Sequence, residues 1–382
     1  MKKLILALLL AVLLPACALA TTVEIAGVDL TAGGSWRIDI TGALVPAGDD
    51  AWVVRYDPAS DTLTLDGLEI KAPMDEYGLM AEGDLKIVLI NGSRNTITGG
   101  NVPRPAEGET WNDSCGIHVN GDLVIEGDGT LTAVGAYGGC SYGIIVIGHG
   151  GNGATLTVSD VTVKGEGGMA GAFSKGIYSH QAMTATNAVI NAKAGESGYY
   201  SYRLDAGGFT AENSTIAVTA GRSDFHSLGV YTSMNLTNCL LAVAADVNSP
   251  SSNALAGNLT MQGGQAEFVA GKSAIILGNA DGLSLSEELE ISGSATYDGE
   301  LGEVTLPEGK KEFLSGDVKA RRILIKAGEA GEEPVTPTPT PSPAPSVLPT
   351  PPATGDGAHP ALWLALLTLA GAAAMMLRKR YK

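Results

Sequence analysis

A glycine followed by an apolar residue returns along this chain at Gly78-Leu79, Gly116-Ile117, Gly143-Ile144, Gly176-Ile177, Gly198-Tyr199 and Gly229-Val230. The series fades into Ala254-Leu255 and Ala274-Ile275, with intervals of 20 to 38 residues. Two short alternating apolar pairs follow each start. The first set includes Leu85/Ile87, Leu123/Ile125, Leu156/Val158, Phe209/Ala211, Met234/Leu236, Leu259/Met261 and Leu283/Leu285. The second includes Leu131/Ala133, Val161/Val163, Val189 or Ile190, Ile216/Val218, Leu241/Val243 and Ala266/Phe268. Alternation with period two over four to six residues marks a strand with one face on a core. Three such strands per unit, with no helical pattern between them, make one coil of a solenoid.

The expected fold is therefore all-β: a right-handed, single-stranded parallel β-helix, a three-sided solenoid of about eight coils with caps at both ends. Coils would stack at about 4.8 Å, with Leu79, Ile117, Ile144, Ile177, Tyr199, Val230, Leu255 and Ile275 as one interior ladder. One coil cannot bury its apolar side alone, whereas eight stacked coils can. A β-sandwich would need hairpin turns, and Asn91-Gly92 and Asn120-Gly121 are the main hairpin signals. Open strand edges at the solenoid ends need covering. Residues 21–75 would supply the first cap, with strand-like segments at 52–55 and 63–65. Residues 76–300 would form the solenoid, and 301–328 the second cap, closed by the charged-edged strand at 321–326.

The termini carry addresses. Met1-Lys2-Lys3, an apolar run from Leu4 to Leu14 and Ala18-Leu19-Ala20 form a secretory signal peptide over residues 1–20. Signal peptidase would cut after Ala20; Cys17 offers a lipobox-like alternative. Residues 329–352 read as a proline- and threonine-rich polyproline II stalk. Residues 353–382 read as a sorting signal with a transmembrane helix, from Thr354-Gly355 through the apolar stretch 361–377 to Arg378-Lys379-Arg380. This order resembles the LPXTG-like sorting signal of Gram-positive bacteria, in which a sortase cuts between Thr and Gly. Pro351 stands where that pattern carries Leu. A plain membrane anchor is the alternative, and either one places the body outside the cell, on cell wall or membrane.

Charge narrows the partners. The chain carries 24 Lys/Arg against 41 Asp/Glu. Processing at both ends would remove six of the former and one of the latter, leaving a body near −22. Nucleic-acid binding needs clustered basic residues and is not expected. An anionic glycan would be repelled unless a cation bridged it. Three cysteines remain after signal removal, too few for a disulfide framework. Cys115 and Cys140 sit on neighbouring coils about two residues out of step, and their pairing is left open.

Tyr56-Asp57-Pro58-Ala59-Ser60-Asp61-Thr62-Leu63-Thr64-Leu65, together with coils such as Gly116-Ile117-His118-Val119-Asn120-Gly121-Asp122-Leu123-Val124-Ile125, carries a family likeness. Over residues 24–327 the chain resembles the carbohydrate-binding-domain-containing parallel β-helix proteins of clostridial and related Firmicutes cell surfaces. The resemblance implies the fold, a surface location and a polysaccharide ligand, and brings no catalytic residues.

Two binding sites are expected. Aligned coil starts place Tyr178, Tyr200 and Tyr231 one residue after the interior ladder, as an outward strip on successive coils with Tyr202 close by. Sugar rings pack their C–H faces on such rings; a stacking ladder that only stabilises the sheet is the competing possibility. Asp84 and Asp122 occupy matching Gly-Asp-Leu turns, where two stacked carboxylates invite a cation; calcium is the candidate cofactor. Ordinary turn aspartates are the alternative. Catalysis finds little support. Gly148-His149-Gly150 matches a short polygalacturonase motif, but no aspartate pair accompanies it for acid–base hydrolysis. The expected function is a non-catalytic glycan-binding or adhesion protein whose partner is an extracellular polysaccharide or host glycan. A polysaccharide lyase, a glycoside hydrolase and a purely structural surface protein are the alternatives.

Overall fold

The computed structural model describes residues 21–48, 51–90, 92–103, 112–148 and 153–328. Ala20, His149, the stalk, Thr354, Gly355 and the expected transmembrane stretch lie outside the described residues. Within them the chain is all-β and winds a parallel solenoid with three faces.

The first face stacks eight strands in parallel. Its interior ladder runs Leu79, Ile117, Ile144, Ile177, Leu204, Val230, Leu255 and Ile275, all essentially inaccessible. The second face carries Leu63/Leu65, Ile87, Leu123/Ile125, Leu156/Val158, Met183/Ala185, Phe209/Ala211, Met234/Leu236 and Leu259/Met261 inward. The third face does the same with Ile70, Ile97, Leu131, Val163, Ile190, Ile216, Leu241 and Ala266. Ile190, not Val189, turns inward.

One coil departs from the expected register: Leu204, not Tyr199, occupies the rung of the ladder, and Tyr199 is 52% exposed. The cause lies one residue earlier. Gly78, Gly116, Gly143, Gly176 and Gly229 fill the column before the ladder, where a Cβ would press on neighbouring backbone. In the fifth coil that column holds Arg203, so Gly198 imitates a coil start it does not make.

Two hydrogen-bonded columns fix the corners. Six serines, Ser114, Ser141, Ser174, Ser201, Ser227 and Ser252, stack coil on coil and are at most 1% exposed. Ser141 Oγ donates to the Ala136 carbonyl and accepts from Gly168 N–H; Ser174 Oγ donates to the Gly168 carbonyl and accepts from Gly195 N–H. Ser114 and Ser227 bond in the same two-sided way, so four of the six serines tie their own turn to the next, satisfying backbone groups that burial would leave unpaired. Between the second and third faces, Asp160, Asn187, Asn213 and Asn238 adopt left-handed φ of 48–59°. Asn and Asp tolerate this conformation better than other non-glycine residues, and one such residue per coil turns the chain sharply.

The ends are covered as the edge problem requires. Thr22–Ile25 lies antiparallel on Leu79–Glu82. Parallel pairing already begins at Thr62–Leu65 and Glu69–Lys71, and ends at Leu283–Leu285. Arg322–Ala327 then closes the third face antiparallel to Ala266–Val269, with Arg322 2.9 Å from the Glu267 carboxylate.

Candidate functional site: an aromatic face

Outward side chains of the first face fall into columns, because strand residues alternate sides and coils are in register. One column reads Cys140, Phe173, Tyr200, His226 and Ser251. The next reads Cys115, Tyr142, Lys175, Tyr202, Leu228 and Asn253, and the third reads Met80, His118, Ile145, Tyr178, Asp205, Tyr231 and Ala256. Tyr178, Tyr200 and Tyr231 therefore share the face but not a column, which corrects the expected strip. Tyr178 and Tyr231 are two coils apart with Asp205 between them, and Tyr200 belongs to the neighbouring stack. The cause is the same as in the ladder: the fifth coil starts at Arg203-Leu204, five residues beyond the apparent start at Gly198.

The rings nevertheless converge. Phe173, Tyr200 and His226 stack at 5.3 Å within 8° of parallel. Tyr200 also stacks on Tyr202 at 5.5 Å, and Tyr202 meets Tyr231 at 5.7 Å. Tyr199 and Phe225 form a parallel pair at the margin, 5.3 Å apart. At the centre Lys175 Nζ donates to Asp205 Oδ2 at 2.7 Å and lies 3.9 Å from the Tyr178 ring centroid. Both charged side chains are only about one-seventh exposed, 13% and 15%. Burial, with Asp205 close by, raises the Tyr178 hydroxyl, and burial together with Tyr200 and Asp205 pushes Tyr202 up to about 12. Both hydroxyls thus stay protonated and can donate. Tyr199 and Phe225, stacked on each other, and Tyr231 remain 52–53% exposed, and exposed rings are the side chains an interaction surface uses.

Comparison with family models, with curated proteins and with solved structures finds no match. The face must be read from its own geometry.

Asp84 and Asp122 do stack in matching turns, as expected. Their carboxylates serve the backbone: Asp84 Oδ1 accepts the Asp122 N–H at 2.8 Å, and Asp122 Oδ1 accepts the Thr155 N–H at 2.8 Å and its hydroxyl at 3.0 Å. This is the turn-aspartate role, repeated on successive coils. Among the described residues no group of three or more His, Cys, Asp or Glu side chains is arranged to hold a metal ion. A depression of about 430 Å³ lies in the amino-terminal cap, lined by Arg37, Ile38, Val53 and Glu69, not on the aromatic face.

Cys115 and Cys140 are both free thiols. Cys115 is in register with Tyr142, so Cys140 sits diagonally across the strand pair. At ~4.8 Å between strands and ~3.3 Å per residue along them, the Cα atoms stand roughly 8 Å apart, beyond the ~7 Å limit for a disulfide. Burial raises both thiols, Cys140 to about 11, so neither is a ready nucleophile.

His118 lies on the same face two coils before Tyr178. Its Nε2 pairs with Asn120 Oδ1 at 3.2 Å, Asn120 donates on to Glu82 at 2.6 Å, and its ring edge meets Tyr77 at 5.0 Å. Burial lowers the imidazole pKa below 6.5, outweighing the Asn120 hydrogen bond and the Glu82 and Asp113 charges, which raise it. The folded protein thus binds this proton less readily than the unfolded chain, whose histidine titrates near 6.5. Stability falls as pH drops below about 6.5. The difference in melting temperature between wild type and His118→Phe should shift in favour of the variant from pH 7 to pH 5, and a constant difference would show that His118 titrates normally.

Proposed function

We propose that this protein is a non-catalytic glycan-binding module displayed on the outside of a Gram-positive cell, exported by its signal peptide and held by its carboxy-terminal anchor on the proline-rich stalk. The observation that carries the proposal is the convergence of rings from consecutive coils on one face, with Tyr199, Phe225 and Tyr231 more than half exposed. Pyranose rings present C–H faces to such surfaces, and tyrosine hydroxyls add donors for sugar oxygens. The acidity of the body favours a neutral polysaccharide over an anionic one. Calcium has a place here only as a bridge to an anionic chain.

One feature favours a second possibility, a structural surface protein. Phe173, Tyr200 and His226 turn their faces toward one another, as in a ladder that stabilises the sheet.

A pull-down of the full chain on insoluble and immobilised polysaccharides, with and without calcium, separates these. Retention without release of sugar is the expected outcome, weakened at least fivefold when Tyr199, Phe225 and Tyr231 are all replaced by Ala. No retention across the panel would leave the structural role. New reducing ends or unsaturated products in the supernatant would establish a hydrolase or lyase instead.

A further inference from the structure

A lysine stands in a column of tyrosines. Tyr142, Lys175 and Tyr202 follow one another on three successive coils. The Lys175 ammonium lies 3.9 Å from the Tyr178 ring centroid, 5.6 Å from that of Tyr202 and 6.0 Å from that of Tyr142, and it donates to Asp205 at 2.7 Å. Ring faces are electron-rich and attract a cation within about 6 Å of their centroids. The face thus already holds one ammonium ion, its own, with rings and a carboxylate as partners.

The exposed margin of the face carries the same ingredients. Tyr199 and Phe225 stack there, each 52% exposed. Ser197 and Ser223 are bridged in parallel, which sets Asp224, the residue before Phe225, beside Gly198, the residue before Tyr199. Glu196 stands one residue before the same bridge. Both carboxylates are exposed. Among the described residues neither forms an ion pair, not even with Arg222, which lies beside Glu196. The field around them is that of a strongly acidic chain, with a formal charge of −17, and such a field draws cations in.

We propose that the glycan recognised here carries free amino groups: a polymer of amino sugars whose nitrogens are not acetylated. The sugar lies against the exposed Tyr199–Phe225 pair, and its ammonium is held by ring faces and by Asp224 and Glu196, as Lys175 is held by its own rings and Asp205. This assignment rests on the glycan-binding function proposed above and names the class of sugar.

Calorimetric titration of the full chain with glucosamine oligomers, and with the same oligomers after N-acetylation, tests it. Acetylation removes the positive charge and keeps the sugar backbone. The unacetylated oligomers should bind about tenfold tighter, and most of that difference should vanish at about 0.5 M NaCl. Glu196→Gln combined with Asp224→Asn should cancel most of the preference, with a melting temperature close to that of wild type because both side chains are exposed. Tyr199→Ala combined with Phe225→Ala leaves the charge unchanged and should weaken the glucosamine oligomers about fivefold. Equal affinity for acetylated and unacetylated oligomers would overturn the amino-sugar assignment and leave glycan binding intact. Glucosamine binding that survives the loss of both rings, or that an oligolysine of equal charge matches, would reduce it to ion exchange on an acidic surface and overturn the subsite. Absence of binding to every glycan would remove both.

Discussion

Leu204→Ala lowers the stability of the central coils by about 2–5 kcal/mol, the usual cost of emptying a buried leucine site, whereas Tyr199→Ala changes it by less than about 1 kcal/mol. The contrast follows from the register of the fifth coil. Leu204 pairs with Ile177 below and Val230 above and is wholly inaccessible. Neither neighbour can close the space its side chain would leave, because the rungs are held by backbone hydrogen bonds. Tyr199 stands at the margin, stacked only on Phe225, and its loss removes one ring contact worth about 0.5–1.5 kcal/mol at most. Because a solenoid is stabilised by nearest-neighbour interfaces, the Leu204 defect should appear as an earlier, separate melting transition. Calorimetry on both variants checks this. A larger loss from Tyr199→Ala than from Leu204→Ala would mean that the apparent coil start at Gly198 is the real one.

Arg203→Met stabilises the protein, by about 1–4 kcal/mol and a rise in melting temperature of several degrees. Arg203 is completely buried, and Nε, Nη1 and Nη2 have no hydrogen-bond partner. Burial drives its pKa well below the usual arginine range, against a raising influence from Asp246. Arginine nonetheless remains charged in proteins, so the fold carries most of the desolvation cost of an ion, which runs to several kcal/mol. Methionine relieves that cost and fills most of the arginine's volume, whereas glycine, the residue of this column in five other coils, would leave a cavity. Thermal and urea unfolding of the variant measure the gain. A lower melting temperature would show that the guanidinium is compensated in solution, with Asp246 the first group to examine by double-mutant cycle.

The two variants also show what was legible in the chain. Alternation with period two is a local property: it assigns Ile117, Leu123, Ile125 and Leu131 to the core without knowing which strand lies next to which. That was enough for the all-β solenoid, for the closing strand near Arg322 and for the placement of Asp84 beside Asp122. The chain also carries a better signal for register. Ser-x-Gly-Ile recurs at 114–117, 141–144 and 174–177, continues as Ser201-Tyr202-Arg203-Leu204, and returns in Ser227-Leu228-Gly229-Val230 and Ser252-Asn253-Ala254-Leu255. The serine is the better marker because its hydroxyl is required by the turns on both sides, whereas the glycine needs only space and can be replaced when a neighbour yields.

The composition of the aromatic face was visible as a supply of tyrosines, but its arrangement was not. Which rings meet depends on how many residues each turn consumes, and the turns of this protein vary in length from coil to coil. A shift of five residues in one coil moves Tyr200 from beside Tyr178 to beside Phe173 and His226, and puts Asp205 between Tyr178 and Tyr231. Lys175 gains a carboxylate partner thirty residues away by the same shift. The sequence by itself determined that this chain must wind a parallel solenoid, because apolar residues alternating in three short runs per repeat can be buried only by stacking. The tertiary structure alone decided the columns and the Lys175–Asp205 pair, because register is set between coils, by the serine ladder and by the one coil that accepts arginine where the others require glycine or alanine.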